Sequence, residues 1–478
     1  MHQAADAFAV YRKISPDQKA VFLEAIADNI ESLGDALIQQ ASEETNLPAA
    51  RLTGERGRTT MQLRMFAQML REGSWVEASV DTAITDKNPP KPDLRKMLVP
   101  LGPVVVFGAS NFPFAYSTAG GDTSSALAAG CTVVVKAHPA HLKTSVMVAE
   151  AISRAIQTSN MPPHVFQHVT DGSFESGKKL VEHPDTCAVG FTGSFTGGKA
   201  LYDYAAARKN PIPVFSEMGS INPVVFLPDT IRNNAEHLAK QYAGSITLGM
   251  GQFCTNPGLL IAMESEGLDL FLQHLSKEIE KVLPAKMLHS GIHKAYVEKK
   301  QAALNVQGVS VVAQAATAAV TIEALPTVAE VDGKTFLQNP LLHEEVFGPY
   351  SLLVKCKDMD ELKAVWKSLA GQLTTTLMGT DQDFADHVSL LDIAPSIAGR
   401  IVFNGVPTGV EVCASMVHGG PFPASTDSRF TAVGINAVKR WVRPVCYQNC
   451  PDALLPDELK EGNPSNIWRL VNNEWAKS

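Results

Sequence analysis

The chain has 478 residues, 45% of them hydrophobic and 19% charged, which is typical of a folded protein with a sizeable core and excludes a disordered or fibrous chain. Its 41 Lys and Arg residues against 49 Asp and Glu give a net charge of -8, so no general attraction to nucleic acid or to an anionic membrane is expected. No apolar run is long enough to span a bilayer, and the N-terminus lacks the apolar centre of a signal peptide, which predicts a cytoplasmic protein.

The first hundred residues divide into a helical part and an extended part. From residue 15 to 72, apolar residues recur at spacings of three and four, which predicts helices, one starting at Ser15 and a second near Pro48. From 73 to 100 the sequence predicts two extended segments around a proline-rich turn, an arm suited to bridging subunits.

Beyond residue 100, short continuous apolar strands alternate with helical stretches. The strand sequences include VVVF, VVVK, HVFQHV and AVGF, and a second series after about residue 217 includes PVVFL, LLIAM, SLLVKC and RIVFNG. This alternation is typical of parallel sheets covered by helices on both faces. The sequence therefore predicts α/β domains, whose ligands bind in the loops at the carboxyl ends of the strands.

The turn GFTGSFTGG at residues 190–198 follows one of these strands and precedes a helix that we expect to begin near Gly198. Exposed N–H groups and the helix dipole favour phosphate binding here, with Gly193, Ser194 and Gly198 as the binding residues. The turn is not the GxGxxG fingerprint, and plain turn chemistry is the commoner explanation of such a sequence.

Two further loops follow apolar strands. Asn111 in GASNFPF offers a neutral amide donor suited to a developing oxyanion, although capping a turn or a helix is the commoner role of such an asparagine. Lys136 closes the strand VVVK, where a lysine can neutralise a ligand anion or bond a ribose hydroxyl. A solvated lysine at a strand end is again the commoner case.

Three more residues have the character of catalytic or binding groups. Cys254 lies in GMGQFCTNPG, where small neighbours leave space around the thiol. Glu217 in SEMGS and Glu345 in EEVFGP stand beside small residues or a Phe-Gly-Pro turn, where a partly desolvated carboxylate is poised as a base or ligand acceptor. Taken singly, either carboxylate is also consistent with an ordinary surface acid.

The other cysteines give no such signal. They are scattered along the chain without a CxxC pair, which predicts neither a disulfide framework nor a zinc site. Cys446 and Cys450 are the only close pair, and their neighbourhood supplies no further ligands. We interpret them as ordinary thiols and expect no bound metal.

Taken in order, Asn111, Lys136, the FTGSxxxG turn, SEMGSxNP, GQFC and EEVFGP resemble the aldehyde dehydrogenase superfamily over nearly the whole chain. The longer stretches SEMGSINP, VPTGVEV and HGGPFPAS look most like the 2-oxoglutarate semialdehyde dehydrogenases. The NADP-dependent long-chain aldehyde dehydrogenases are close behind. The cysteine loop departs from many relatives, which carry a second cysteine or an arginine near the thiol.

The resemblance implies an α/β fold with a Rossmann-type cofactor domain, an α/β catalytic domain and a bridging β-hairpin arm. It implies a cofactor-binding domain at residues 1–72 and 99–216 and a catalytic domain at residues 217–439. Residues 73–98 and 440–478 are the bridging segments. It also implies a homodimer or homotetramer. Members of the family usually have further residues before the first helix, so we expect the short N-terminus to be a truncation.

The reaction that the resemblance implies is the NAD(P)-dependent oxidation of an aldehyde to its acid. The Cys254 thiolate attacks the aldehyde, and the Asn111 amide and the Cys254 N–H hold the resulting oxyanion. Glu217 then activates the water that hydrolyses the thioester. The expected substrate is 2-oxoglutarate semialdehyde, with a long-chain aldehyde as the alternative.

The cofactor residues implied by the resemblance are Glu345 for the nicotinamide ribose, with Phe347 packing nearby, and Lys136 for the adenosine ribose. NAD-restricted relatives usually place a glutamate three residues after that lysine, where this chain has Pro139. His138 is also close, and nothing anionic is expected to oppose a 2′-phosphate. We therefore predict a preference for NADP, or at least tolerance of it.

Substrate choice is predicted from the helix RLTGERGRTTMQLRMFAQML. The resemblance places Arg58 at a position lining the aldehyde tunnel, where its planar fork suits the distal carboxylate of the substrate. Phe112 is the second residue assigned to substrate binding. Arg51, Glu55 and Arg58 also fall at helical spacing, so a solvated charged face explains them too.

Two other classes of function compete with the dehydrogenase. A thiol esterase would use Cys254 and Glu217 without a cofactor, but it leaves Lys136 and Glu345 without a role. A catalytically silent member of the family is the second, and the intact Cys254, Glu217 and Asn111 argue against it.

Overall fold

The computed structural model of the protein describes residues 1–477, and its first hundred residues are helical and then extended. The elements of this part are α1 (His2–Tyr11), α2 (Pro16–Glu31), α3 (Gly34–Thr45), α4 (Ala49–Glu72), β1 (Ser79–Asp81) and β2 (Leu94–Pro100). The predicted helices are confirmed, and the Ser15 side chain caps α2 by accepting from the Gln18 N–H at 3.3 Å. The first predicted helix is in fact two helices, α2 and α3, because the helix is interrupted at Ser32 and Leu33. The helix α1 was not predicted.

A five-stranded sheet follows. Its strands and their helices are β3 (Val104–Phe107), α5 (Gly121–Ala129), β4 (Val133–Lys136), α6 (Leu142–Thr158), β5 (Phe166–Val169), α7 (Phe174–Glu182), β6 (Ala188–Thr192), α8 (Phe195–Ala206) and β7 (Val214–Glu217). The strand order is β5-β4-β3-β6-β7, and all pairs are parallel. Their carboxyl ends therefore share one edge, which holds Lys136 and Glu217.

The next part of the chain forms a seven-stranded sheet. Its elements are β8 (Val224–Phe226), α9 (Pro228–Thr247), β9 (Leu259–Met263), α10 (Glu266–Glu280), β10 (Ala285–Lys286), α11 (Ser290–Leu304), β11 (Ser310–Gln314), β12 (Glu323–Ala324), β13 (Thr327–Asp332), α12 (Gly333–Gln338), β14 (Tyr350–Cys356), α13 (Met359–Lys367), β15 (Gln372–Met378), α14 (Asp381–Asp386), α15 (Ala394–Ile397) and β16 (Ala398–Phe403). The order is β11-β13-β14-β9-β8-β15-β16, parallel except at β11. β10 and β12 pair with each other in a separate two-stranded sheet.

Three strands of the seven-stranded sheet, β11, β13 and β15, were not predicted. β15 has the sequence QLTTTLM and is buried over its whole length. Its polar residues do not give the continuous apolar pattern from which the other strands were predicted. Two of its three hydroxyls are satisfied inside the protein, since Thr374 donates to the Asn222 side chain at 3.0 Å and Thr375 to the Pro223 carbonyl at 3.1 Å. The Thr376 hydroxyl is buried without a hydrogen-bond partner among residues 1–477.

The remaining strands, β17 (Val442–Gln448), β18 (Arg469–Val471) and β19 (Glu474–Ala476), join the two strands of the arm. The order is β17-β2-β1-β18-β19, and β1 and β2 are antiparallel, which confirms the predicted hairpin. Across residues 1–477, none of the helices combines the length and the apolar character needed to cross a bilayer.

Candidate active site

Cys254 lies in the loop between the 3-10 turn Leu248–Gly251 and β9. The buried side-chain amide of Asn222 donates to the carbonyls of Cys254 and Asn256, both at 2.9 Å. Gly251 has a φ of 62°, and a Cβ there would overlap the Gly348 carbonyl. The loop that carries the thiol is thus held by the Asn222 side chain and packs closely against the backbone at Gly348.

Glu217 ends β7 and is 4% exposed. The stretch HGGPFPAS is tied to the end of this strand, because the Met218 N–H donates to the Ala424 carbonyl at 2.8 Å and Glu217 forms a β-bridge with Ser425. This pairing brings His418, the first residue of the stretch, beside the carboxylate.

Cys254, His418 and Glu217 form one cluster, which we call the Cys-His-Glu cluster; His418 and Glu217 are buried and Cys254 is partly buried. His418 Nε2 lies 3.5 Å from Cys254 Sγ and 2.9 Å from Glu217 Oε1. Among residues 1–477, no donor forms a hydrogen bond of good geometry with either oxygen of Glu217, so the contact between Glu217 and His418 is electrostatic. The hydrogen bond of His418 Nε2 is to the sulfur of Cys254. His418 was not among the predicted site residues. The signal was a histidine before two glycines in HGGPFPAS, a stretch that the sequence analysis used only for the resemblance.

The surroundings of Cys254 favour the protonated thiol. Burial, and after it the carboxylates of Glu217 and Glu345, raise the pKa of Cys254 well above its usual value, and Arg58 opposes them. The thiol therefore needs a base within reach in order to act as a nucleophile.

Asn111 follows β3 and faces the cysteine loop. Its side-chain amide donates to the Gln252 carbonyl at 3.2 Å, two residues before Cys254. Arg51 holds the same residue from α4, since its Nη2 donates to the Asn111 carbonyl at 2.7 Å. The Arg51 guanidinium also lies 5.1 Å from the Phe112 ring centre and 4.6 Å from that of Phe253. Arg51 thus links the Asn111 loop to the Cys254 loop.

The rest of the same face of α4 continues along the Asn111 loop. Glu55 accepts from the backbone N–H groups of Phe114 and Ala115 at 2.8 and 3.0 Å. Arg58 Nη2 donates to the Tyr116 hydroxyl at 3.3 Å. Glu55 is 5% exposed, and burial raises its pKa to about 7. The interpretation of this face as solvated is therefore wrong: it supports the loop that carries Asn111.

Arg58 also lies near the cluster. Its Nε is buried without a protein partner, and the Tyr116 ring beneath its guanidinium lies 6.1 Å, centre to centre, from the His418 ring. Phe112 packs edge to face on Tyr116 at 5.2 Å. The tunnel roles of Arg58 and Phe112 stay predictions, and the unpartnered Nε is the feature that a substrate anion would satisfy.

Lys136 and His138 lie at the end of β4. Burial lowers the pKa of Lys136, and Asp171 in the loop after β5 opposes that effect. Burial, and after it His141, lower the pKa of His138 to about 3, so His138 is neutral at pH 7. The prediction that nothing anionic opposes a 2′-phosphate beside Lys136 stays a prediction, and Asp171 is an acidic residue whose charge acts on the lysine.

The turn at residues 190–198 differs in one detail from the prediction. Its helix begins at Phe195, because the Ser194 hydroxyl accepts from the Gly197 N–H at 3.2 Å and caps it. Gly193 and Ser194 are exposed. Gly198 is buried, and a Cβ there would overlap Met218, so close packing of α8 explains this glycine. The three cofactor assignments stay predictions.

Glu345 and Phe347 line a small cavity that also borders Phe253, next to Cys254 in the chain. Burial raises the pKa of Glu345 to about 7. The cavity reaches the cysteine loop at Phe253, and the nicotinamide ribose contact of Glu345 stays a prediction.

The family model for aldehyde dehydrogenases matches residues 1–421. The chain belongs to the aldehyde dehydrogenase family. This aldehyde dehydrogenase is 49% identical over 468 residues to alpha-ketoglutaric semialdehyde dehydrogenase 2 of Azospirillum brasilense, covering 98% of this chain and 89% of the relative. It is 46% identical over 471 residues to alpha-ketoglutaric semialdehyde dehydrogenase of Acinetobacter baylyi, with the same coverage of 98% and 89%.

A solved structure supports the same fold. A variant of 1-pyrroline-5-carboxylate dehydrogenase from Thermus thermophilus superposes with a TM-score of 0.79 at 19% identity, covering 93% of this chain and 84% of that chain. The predicted α/β aldehyde dehydrogenase fold is confirmed. Membership of this family makes the chain an NAD(P)-dependent aldehyde oxidoreductase. Dehydrogenase activity is therefore favoured over the two competing functions, a cofactor-independent thiol esterase and a catalytically silent protein.

The buried Glu55 generates a stability prediction. Because its pKa in the folded protein is raised to about 7, the folded state binds the proton more tightly than the unfolded chain between pH 4.5 and 7, and stability falls as pH rises through that window. Glu55→Gln keeps an acceptor for both N–H groups and removes the titration. Urea unfolding at pH 5 and pH 7.5 should show a loss in the wild type that exceeds that of Glu55→Gln, at about 1.4 kcal/mol per unit of pKa shift.

The control is Glu43→Gln, which removes an exposed carboxylate and should keep the wild-type pH dependence. Glu55→Ala leaves two backbone N–H groups without their acceptor and should cost about 1–3 kcal/mol for each. Equal pH dependence in wild type and Glu55→Gln would contradict the account of this residue.

Proposed function

We propose that this aldehyde dehydrogenase oxidises 2-oxoglutarate semialdehyde to 2-oxoglutarate, through a thiohemiacetal and a thioester on Cys254. The observation that carries the proposal is the buried contact of the Cys254 thiol with His418 and Glu217. The substrate is proposed from the two relatives whose names specify an alpha-ketoglutaric semialdehyde dehydrogenase and from the unpartnered guanidinium Nε of Arg58.

The first step is activation of the thiol. His418 Nε2 takes the thiol proton across 3.5 Å, and the Glu217 carboxylate 2.9 Å away stabilises the imidazolium that forms. The thiolate then attacks the aldehyde carbon. The Asn111 amide and the Cys254 N–H stabilise the oxyanion, each donor being worth about 2.7–4 kcal/mol in the transition state.

The second half of the reaction releases the acid. NAD(P), when bound, would supply the hydride acceptor, and the thiohemiacetal on Cys254 would then become a thioester. Glu217, whose oxygens have no protein donor, takes a proton from water, and the hydroxide attacks the thioester carbon. The C–S bond breaks, the carboxylic acid leaves, and the sulfur regains a proton.

The residues present fit a dinucleotide at two places. Glu345 and Phe347 line the cavity beside Phe253, where a nicotinamide ribose would find a carboxylate acceptor. Lys136 lies at the end of β4 and would bind the adenosine ribose, while the exposed turn at Gly193 and Ser194 precedes α8 and offers N–H groups to the phosphates.

For the choice between NAD and NADP, we propose that NADP is accepted but that Asp171 limits the preference for it. No glutamate stands at position 139, which removes the usual repulsion of a 2′-phosphate. Against this, Asp171 interacts with Lys136, and His138 is neutral and adds no positive charge.

The parallel sheet β3–β7 is proposed as the core of the cofactor-binding domain (1–72 and 99–216), and the sheet β8–β16 as that of the catalytic domain (217–439). The arm sheet joins 73–98 to 440–477, with Ser478 outside the described residues. Its edge strand β19 exposes 66% of Trp475, which supports the proposal of a homodimer or homotetramer built through this sheet.

Pre-steady-state kinetics separate the role of the Cys254 thiol from that of the Glu217 carboxylate. Cys254→Ala should abolish aldehyde oxidation and any esterase activity, because no covalent intermediate forms. Glu217→Gln should give a burst of reduced cofactor of about one per active site, formed more slowly than in the wild type because the His418 imidazolium loses its carboxylate. Steady turnover should then be slowed by roughly 100-fold or more, because water is no longer activated. Full steady-state turnover in Glu217→Gln would sink this assignment.

The substrate role of Arg58 is tested with Arg58→Met. A charge-assisted contact is worth about 1.5–3 kcal/mol, so kcat/KM for 2-oxoglutarate semialdehyde should fall by roughly tenfold or more. A neutral aldehyde of similar length should be much less affected. Arg56→Met, on the same helix but bonded to the Gly34 carbonyl, is the matched control. Equal losses for both substrates would favour a long-chain aldehyde instead.

Coenzyme choice is tested through Asp171→Asn. Removing this charge should raise the ratio of kcat/KM for NADP to that for NAD, since a negative charge that repels the 2′-phosphate is lost. Asp203→Asn, an exposed acid on α8, should leave the ratio unchanged. A wild-type enzyme that strongly favours NAD together with an unchanged ratio in Asp171→Asn would show that neither residue 139 nor residue 171 sets the preference.

A further inference from the structure

The Cys-His-Glu cluster has the composition and spacing of a metal site. Cys254 Sγ, His418 Nε2 and a Glu217 oxygen all lie within 4.8 Å of one another. Zinc bonds of about 2.3 Å to sulfur and 2.0–2.1 Å to nitrogen at a tetrahedral angle put these two atoms roughly 3.6 Å apart. The sulfur and nitrogen are already 3.5 Å apart, and the carboxylate oxygen at 2.9 Å from Nε2 needs to withdraw only slightly.

We propose that Cys254, His418 and Glu217 bind Zn²⁺ and that the bound ion reversibly inhibits the enzyme. Three protein ligands with one open position are the arrangement of a non-structural zinc site, and thiolate, imidazole and carboxylate are the ligands that zinc accepts. The binding rests on the geometry of the cluster alone. The inhibition rests in addition on the proposed role of Cys254 as nucleophile.

The charges around the thiol suit a dication. Glu217 and Glu345 both disfavour a thiolate in the buried site, and the same two carboxylates attract a positive ion. Both Glu217 oxygens lack protein donors, so no hydrogen bond has to break for coordination. The ion displaces the proton of Cys254, so one proton is released as the Zn–S bond forms.

Coordination would halt the reaction at its first step. A zinc-bound thiolate is no longer free to attack an aldehyde, and the lone pair of His418 that receives the thiol proton is held by the metal. Glu217 is engaged at the same time. Zinc therefore competes with the aldehyde, and it shields the thiol from alkylation.

A second cluster offers an internal control. His2, His183 and Asp185 also bring three ligand atoms within 4.8 Å, but His2 is 79% exposed and the group contains no thiol. Zinc held there would leave Cys254 reactive, so His183→Asn removes this alternative without touching the Cys-His-Glu cluster.

The experiment uses the full chain, freed of metal by a chelator and without aldehyde or cofactor. One equivalent of Co²⁺ should produce a sulfur-to-cobalt charge-transfer band, which Zn²⁺ then abolishes. At free Zn²⁺ about ten times its dissociation constant, iodoacetamide should alkylate Cys254 about tenfold more slowly. Peptide mass mapping separates Cys254 from the exposed Cys413 and Cys446.

Three variants decide the outcome. Cys254→Ser should lose the charge-transfer band, and His418→Gln should weaken Zn²⁺ binding by more than the roughly 10- to 100-fold typical of losing an outer-shell partner. His183→Asn should behave as the wild type. Protection of Cys254 that persists in His418→Gln, or that disappears in His183→Asn, overturns the proposal. None of these measurements uses aldehyde oxidation, so their failure is distinguishable from failure of the proposed function.

Discussion

Burial of the Cys254 thiol is the constraint on which the rest of the site depends. A thiol whose pKa is raised by burial and by two nearby carboxylates does not ionise unaided, so a proton acceptor must lie in contact with it. His418 Nε2 lies 3.5 Å from the sulfur and 2.9 Å from a Glu217 oxygen, and the three residues come from different parts of the chain. Glu217 ends β7, Cys254 precedes β9, and His418 follows β16, so the cluster exists only when both parallel sheets are folded together.

The second dependence is on the helix α4, which holds the loop of Asn111. Arg51 bonds the Asn111 carbonyl and lies over the rings of Phe112 and Phe253, while Glu55 accepts from the backbone further along the loop. A carboxylate buried between two guanidinium groups in this way fixes backbone rather than binding solvent. The same face leaves the Arg58 Nε without a hydrogen-bond partner among residues 1–477, with the Tyr116 ring beneath its guanidinium.

The sequence alone singled out residues whose sequence neighbours are chemically unusual. It missed residues whose partners lie far away in the chain and become neighbours only in the folded protein. The strands with continuous Val, Leu and Ile were predicted, whereas the buried QLTTTLM of β15 was not, because its hydroxyls find partners only in the folded sheet. Cys254 stood out among glycines, but His418 did not, since its partners are more than 160 residues away in sequence. Glu55 gives an ordinary i, i+4 pattern in sequence, and only the folded loop shows which groups it accepts from.

The account assigns one covalent reaction to one sulfur, and a mass measurement tests that assignment most directly. Glu217→Gln is mixed with 2-oxoglutarate semialdehyde and NADP, quenched in acid and analysed by intact-protein and peptide mass spectrometry. The account predicts an added mass equal to the 2-oxoglutaryl group in thioester linkage, carried by the peptide that contains Cys254 and by no other. Reduced cofactor without any adduct on Cys254, or an adduct on another cysteine, would contradict it.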